Sequence, residues 1–526
     1  GGYPFGERCF EQSVIFSRSM SVHGEPYIPA SQSPLELTTR VIVVGILLGI
    51  LMTAANAYLG LYAGMTVSAS IPAAVMSMII LRSLFKDVSI LENNAVQTMA
   101  SAGESLAAGI IFTVPALLVI PNVWDEIQLV ETTIIALLGG LLGTMFTIAL
   151  RRLFIVEEAL PYPEGVACRE VLVAGEEGGE GAQAIIYALG IGAIYGLVQK
   201  GFEATKHSVE AATSFLGTRI YAGMDLSVAL LSVGFIVGIR IASFIFLGGM
   251  IGFGLLVPMY GLINGWGSAG SSVESFDIIW RQQVRYVGVG AMVLGGLYTL
   301  WSMRKTIITG ISKALKTKSS TDEELLRTEI DLPMNKVFIF CGILVILTVL
   351  FYWSKTGSLI LALAGGLFLA VTAFFFAAVA GYIAGVVGSS NSPVSGMTIA
   401  TLLFTVVLVL LIGDGLLNLD TSTLMLATVL IASIVASSAA IAGDVMQDLK
   451  TGHMVGATPR VQQIAEIVGV ITGALVIGPT LKLLHNAFGI TQTACLREAE
   501  IAYRDCDKAL LAPQAELIGD IVRGAF

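Results

Sequence analysis

Apolar runs about twenty residues long recur through this sequence, at 38–62, 66–86, 93–120, 131–154, 183–203, 224–241, 243–263, 284–303, 335–354, 357–379, 394–413, 421–443 and 463–484. A helix rising about 1.5 Å per residue needs that length to cross roughly 30 Å of hydrocarbon. The runs are continuous rather than alternating, which argues against a β-barrel. Only 13% of the 526 residues are charged, about half of what a soluble globular protein carries. These features predict an all-α polytopic membrane protein, multi-pass in a plasma or inner membrane.

The few charges give the runs a direction. Arg304, Lys305, Lys313, Lys316, Lys318, Arg327 and Lys336 crowd one insertion, and a basic excess marks the cytoplasmic side. Arg82 with Lys86, and Arg151 with Arg152, close the second and fourth runs on that same side. The expected order is a cytoplasmic tail (1–37), a first transmembrane half (38–303), a basic cytoplasmic linker (304–336), a second transmembrane half (337–486) and an amphipathic C-terminal segment (487–526). That last segment stops in mid-pattern and reads as cut short. The net charge of −9 lies mostly in loops and tails, and no patch resembles a nucleic-acid surface. The five cysteines show no Cys-x-x-Cys pairing and the four histidines are dispersed, so no disulfide framework, metal site or cofactor is expected.

Glycines four apart, as at Gly139/Gly143 and Gly381/Gly385, predict close helix–helix approach in lipid. A pseudo-repeat is also visible. "YAGMTVSASIP" (62–72) resembles "VSGMTIATLLF" (394–404), and "NNAVQTMAS" (93–101) resembles "GDVMQDLKT" (443–451). Repeated halves are frequent in secondary transporters, with the site at the repeat interface. Counting spans puts Gly64 outside and Gly396 inside, so either a span is miscounted or a segment is re-entrant.

Four polar clusters interrupt the apolar pattern. The first holds Asn56, Tyr58, Thr66, Ser68 and Ser70. The second, "ENNAVQTMASAGES", holds Glu92, Asn93, Asn94, Gln97 and Glu104. The third, "EEALPYPEGVACRE", holds Tyr162 and Glu164. The fourth, "GSSNSPVSGMT", holds Ser389, Ser390, Asn391, Pro393 and Ser395, and leads on to Asp444, Gln447 and Asp448. Irregular backbone at bilayer depth survives only inside protein or around a wet cavity. A broken helix offers free N–H groups at one end and free carbonyls at the other, which suits a carboxylate and a cation respectively. A peptide carries both. Asp444 and Asp448 share a helix face, which suits a proton carrier if buried; a solvated loop holding ordinary charges fits residues 443–460 as well. Glu104 and Glu466 lie deep within apolar runs, where an ionisable group is a functional candidate.

At these clusters the sequence resembles the oligopeptide transporter family, which includes the yellow-stripe-like carriers of metal chelates. The likeness rests on "ANAYLGLYAGMTVSASIPAAV" (55–75), "ENNAVQTMASAGES" (92–105), "ALPYPEGVACREVL" (159–172), "GSSNSPVSGMT" (388–398) and "AGDVMQDLKTGHMVGATPRVQQ" (442–463). It looks closest to the prokaryotic branch. The resemblance implies a proton-coupled secondary transporter with about sixteen helices built from duplicated units and working by alternating access. Thirteen runs against sixteen implied helices gives an expected 13–16 transmembrane helices, some of them re-entrant or broken.

The leading expectation is therefore proton-driven transport of a small oligopeptide. Asn56, Tyr58, Asn93, Asn94, Gln97, Tyr162, Ser389, Ser390, Asn391, Ser395 and Gln447 would line the substrate site. Glu92, Glu104, Glu164, Asp444 and Asp448 would be the proton-linked acids. Transport of a metal chelate is the alternative, and a homo-oligomer is left open. An intramembrane protease would want a Gly-x-Gly-Asp element; "LIGD" (411–414) and "IAGD" (441–444) both lack the first glycine. Neither a Gly-x-Ser-x-Gly elbow nor a His-Glu-x-x-His element occurs, so no enzyme is expected.

Overall fold

The computed structural model describes residues 25–64, 66, 68–202, 204–206, 208–215, 218–226, 228–266, 272–284, 326–392, 394–491, 494, 495 and 509–526, with scattered positions between 287 and 305. Most of the basic insertion, with Lys313, Lys316 and Lys318, lies outside these residues, as do Pro393 and the Asn391 side chain. Among the described residues, nine helices are long and apolar enough to cross a membrane. The chain is an all-α polytopic membrane protein.

Four helices make the centre. They are α3 (Ile90–Thr113), α4 (Leu129–Arg151), α11 (Thr421–Val455) and α12 (Pro459–Phe488). Every residue of α3 is buried, its polar groups included, because the other helices wrap it on all sides. Small residues bring the backbones together. A Cβ on Gly109 would lie 2.3 Å from the Ser437 Cα, and one on Gly143 would lie 2.6 Å from the Ser438 carbonyl oxygen. One on Gly473 would meet the Gly103 carbonyl oxygen at 2.4 Å. The expected approach at Gly139/Gly143 is thus made against α11. Gly192 and Gly196, in α6 (Gly179–Gly196), instead have open space around them.

Around this centre stand α1 (Thr39–Ala63), α8 (Met334–Thr356), α9 (Leu359–Val387) and α10 (Val394–Val409). Ile339, Ile346 and Leu350 of α8 are exposed, the outward apolar face that lipid requires. Helices α2 (Ser70–Leu84) and α5 (Pro163–Glu177), each of 15 residues, are too short to span. At about 1.5 Å per residue each reaches roughly 22 Å. The apolar run at 66–86 is therefore a half-span that starts inside the molecule.

The runs at 224–241 and 243–263 merge into α7 (Val228–Gly249) and its continuation to Asn264. A small hairpin of β1 (Ser208–Phe215) and β2 (Thr218–Asp225), with Ala212 opposite Tyr221, is the one sheet among the described residues. Its Tyr221 ring stacks on Phe253 and Phe276. Cys495 is disulfide-bonded, a correction to the expectation of no disulfides.

Two of the basic groups, Arg151 and Arg327, lie on one face beside the start of α12. Arg151 pairs with Asp331 at 2.6 Å, and Arg327 with Glu36 at 2.8 Å. Glu36 also accepts from the Thr458 backbone N–H at 2.9 Å. At the other ends of these helices, Lys355 pairs with Glu131, and Lys482 pairs with Glu126 at 3.0 Å.

Candidate functional site

Two interruptions of the chain meet in the interior. The first follows α1, where Gly64 turns to φ 70° and the chain re-enters a helix at Ser70. The second follows α9, where Gly388 turns to φ 92°, a short turn spans Ser389–Asn391, and α10 begins at Val394. Glycine is needed at both points because a side chain resists that backbone conformation. At Gly388 a Cβ would also press on the Glu164 carboxylate at 2.6 Å.

Each interruption is held by acids from other helices. Glu104 of α3 accepts from the Ala69 backbone N–H at 3.2 Å, capping a helix start whose own residue, Ala69, has no side-chain acceptor. Asp448 of α11 accepts from the Ser70 hydroxyl at 2.6 Å. At the second interruption Glu164 of α5 accepts from the Ser389 hydroxyl at 2.7 Å and the Ser390 backbone N–H at 3.1 Å. Asp444 of α11 lies within hydrogen-bonding reach of Ser389 and Ser105. Carboxylates at helix starts meet free N–H groups and the positive end of the helix dipole.

A cavity of about 150 Å³ opens between the two interruptions. Thr66, Ser68 and Glu104 line it from one side, and Ser389, Ser390, Ser392, Ser395 and Asp444 from the other. Behind Asp448 runs an amide network. Gln97 donates to Asp448 Oδ1 at 2.5 Å, Asn94 donates to Gln97 at 3.0 Å, and Gln462 donates to both Asn94, at 3.2 Å, and the Asp448 carbonyl, at 3.0 Å. Asp448 Oδ2 and Gln447 Nε2 are buried without a hydrogen-bond partner among the described residues, whereas Gln447 Oε1 accepts from the Gly165 N–H at 2.9 Å.

Residues 443–455 are therefore the last turns of α11 and not a solvated loop. The structure gathers Glu104, Glu164, Asp444, Asp448, Asn56, Gln97, Ser389, Ser390 and Ser395 at or beside the cavity; Asn56 donates to Glu104. Glu92 goes elsewhere. It closes a capping box with Ser89 at the start of α3 and pairs with Arg40 at 2.6 Å. Tyr58 is 40% exposed and stacks on Tyr62, away from the cavity. Asn93 accepts from Ser77 at 2.9 Å, tying α2 to α3. Tyr162 is buried and donates to the Gly381 carbonyl at 3.0 Å, pinning the start of α5 to α9.

Some lining residues carried no sequence signal as site residues. Gln514, from α13 (Pro513–Ala525), reaches the cavity because Pro513 abuts Gly64 and the Ala512 N–H donates to the Leu61 carbonyl at 2.9 Å. Behind the lining, Ser101 bonds to Ser70 and Ser105 lies within reach of Asp444. No group of three or more metal-ligating side chains occurs among the described residues.

The chain is similar to known proteins over nearly all its length. It is 36% identical to the "Putative oligopeptide transporter" of Haemophilus influenzae, over 89% of this chain and 75% of that one. It is 22% identical to the "Probable metal-nicotianamine transporter YSL9" of Oryza sativa, over 86% and 71% respectively. The family model described as OPT oligopeptide transporter protein matches residues 36–519. Proteins of this kind are transporters, not enzymes. With two interrupted helices facing one internal cavity and a match that runs almost end to end, the chain belongs to the OPT oligopeptide transporter family.

Proposed function

We propose that this transporter carries short peptides across a plasma or inner membrane, coupled to protons, by alternating access. One observation carries the reading: two helix starts and the carboxyls of Glu104 and Asp444 face the same cavity. Helix starts suit a carboxylate, and acids suit an ammonium. A zwitterion with separated ends satisfies both. The cavity encloses only part of a peptide, so passage requires its walls to part. A shared order of elements supports moving halves: α1, an interruption, α2 and α3 correspond to α9, an interruption, α10 and α11. The coupling groups are Glu104, Glu164, Asp444 and Asp448.

An amino-acid-derived metal chelate has the same zwitterionic chemistry. The rice relative's name makes it the second reading. Both are tested in one assay. Purified protein in liposomes is given di- to hexapeptides or metal-loaded chelates, with and without an inward pH gradient. Peptide uptake that follows the gradient is the expected result. Uptake indifferent to the gradient removes the coupling, and transport of chelates that peptides do not inhibit replaces the substrate.

A further inference from the structure

Glu466 of α12 is fully buried, and among the described residues neither of its carboxylate oxygens has a hydrogen-bond partner. Every other acid of the central cluster is held by hydroxyls, amides or backbone N–H groups. A buried carboxylate left without partners is costly by several kcal/mol or more, and the neutral form avoids that. The position is also specific. Gln462, one turn earlier, faces inward, donating to the Asp448 carbonyl at 3.0 Å. Gln463 faces outward, donating to Asp331 Oδ1 at 2.6 Å. Residues three and four apart on a helix are neighbours, so Glu466 borders both directions.

Three charged groups face it: Asp448 from α11, Arg151 from α4, and Asp331 from the segment before α8. Helix α3 meets this part of α12 with Asn94 and Thr98, which are uncharged. Arg151 holds Asp331 in two bonds, at 2.6 and 2.8 Å. Arg151 is 3% exposed but Asp331 is 19% exposed, so this pair connects the interior to the face that carries the basic groups.

We propose that Glu466 is a further proton-binding carboxyl, passing protons between Asp448 in the core and the Arg151–Asp331 pair at the face. The inference rests on the proton-coupled reading. Glu466, neutral at rest, first releases its proton to water beside Asp331 and, as the carboxylate, turns to take a proton from the Asp448 carboxyl, which becomes negative. Glu466 is then neutral again. The side chain suits this because no hydrogen bond fixes its rotamer, whereas Asp331 is fixed by Arg151 and Gln463.

The test uses the full chain in liposomes and the variants Glu466→Gln and Glu466→Asp. Two fluxes are read: pH-gradient-driven net uptake, and substrate counterflow, which needs no net proton movement. Glu466→Gln is expected to keep counterflow, showing it folded, and to lose gradient-driven uptake. Glu466→Asp, which retains a carboxyl, is expected to restore it. Infrared difference spectra of wild type against Glu466→Gln are expected to show a protonated carboxyl band. Gradient-driven uptake retained by Glu466→Gln overturns the inference while leaving the coupled transporter intact. Absence of the band in a coupled wild type also overturns it. A wild type without any gradient dependence removes the coupled reading itself, and the relay with it.

Discussion

Glu164 and Ser390 lie 226 positions apart, yet the Ser390 backbone N–H donates to Glu164 Oε1 at 3.1 Å while the neighbouring Ser389 hydroxyl donates to Oε2. The carboxylate of a short helix thereby holds the second interruption open. Replacing it tests how much of the site is built by that one side chain. Glu164→Ala removes the acceptor of the partly exposed Ser390 N–H and Ser389 hydroxyl, and is expected to cost about 1–3 kcal/mol, less than two full charge-assisted bonds because water can replace part of them. Glu164→Gln, which keeps one acceptor, is expected to cost about half as much. Melting temperatures of the purified variants check the order, and an alanine variant as stable as wild type would remove the strut.

Filling the cavity separates transport from folding. Ser395 lines the cavity, and Ser395→Phe places a ring in the space between the interruptions. Uptake is expected to fall to background while the melting temperature stays within a few degrees of wild type. Normal uptake by a correctly folded variant would move the substrate path elsewhere.

Helix contact in the centre is set by glycine. Gly473→Ala puts a methyl 2.4 Å from the Gly103 carbonyl oxygen, a backbone atom that cannot turn aside. The expected cost is about 1–3 kcal/mol, as for overpacking, read as a lower melting temperature and reduced folded yield. Gly342→Ala, in α8, meets open space and is the control. It is expected to be neutral or to gain up to about 1 kcal/mol from helix propensity.

Acid tests one cap outside the spans. Asp420 accepts from the Thr423 hydroxyl at 2.8 Å and its N–H at 3.0 Å, which hold the carboxyl below its ordinary range. A depressed native value means the cap's contribution is complete above the unfolded value of about 3.9. It is lost as pH falls through the lower native value. Asp420→Ala is therefore expected to cost about 1 kcal/mol at neutral pH, and the gap to wild type should close in strong acid. Melting curves at both pH values decide it; a gap independent of pH would exclude the carboxylate as its source.

What the sequence disclosed and what it concealed follow a physical line. Apolar run length marks spans, because hydrocarbon thickness is fixed. The buried setting of Asp444 and Asp448 could not be separated from a solvated loop, because burial comes from α3 and α5, far away in sequence. Glu92 was grouped with Glu104, although the Ser89–Glu92 spacing marks a local cap and its Arg40 partner belongs to another helix. Asn56 and Tyr58 were grouped together, yet residues two apart on a helix point to different sides. Asn56 turns inward to Glu104, and Tyr58 outward. Gln514 reaches the cavity only through the docking of α13 on Gly64, a contact no local pattern announces.

The bond between Ser70 and Asp448 spans 378 positions. Ribosomes extend a chain by about 5–20 residues per second, so roughly 20–75 s separate the two residues during synthesis. The Glu104 cap on Ala69, 35 positions apart, can form almost at once. The half-helix that begins at Ser70 thus waits with one of its two acids in place until α11 is inserted. The first interruption is therefore completed only once α11 has been inserted, long after the helix it caps has been made.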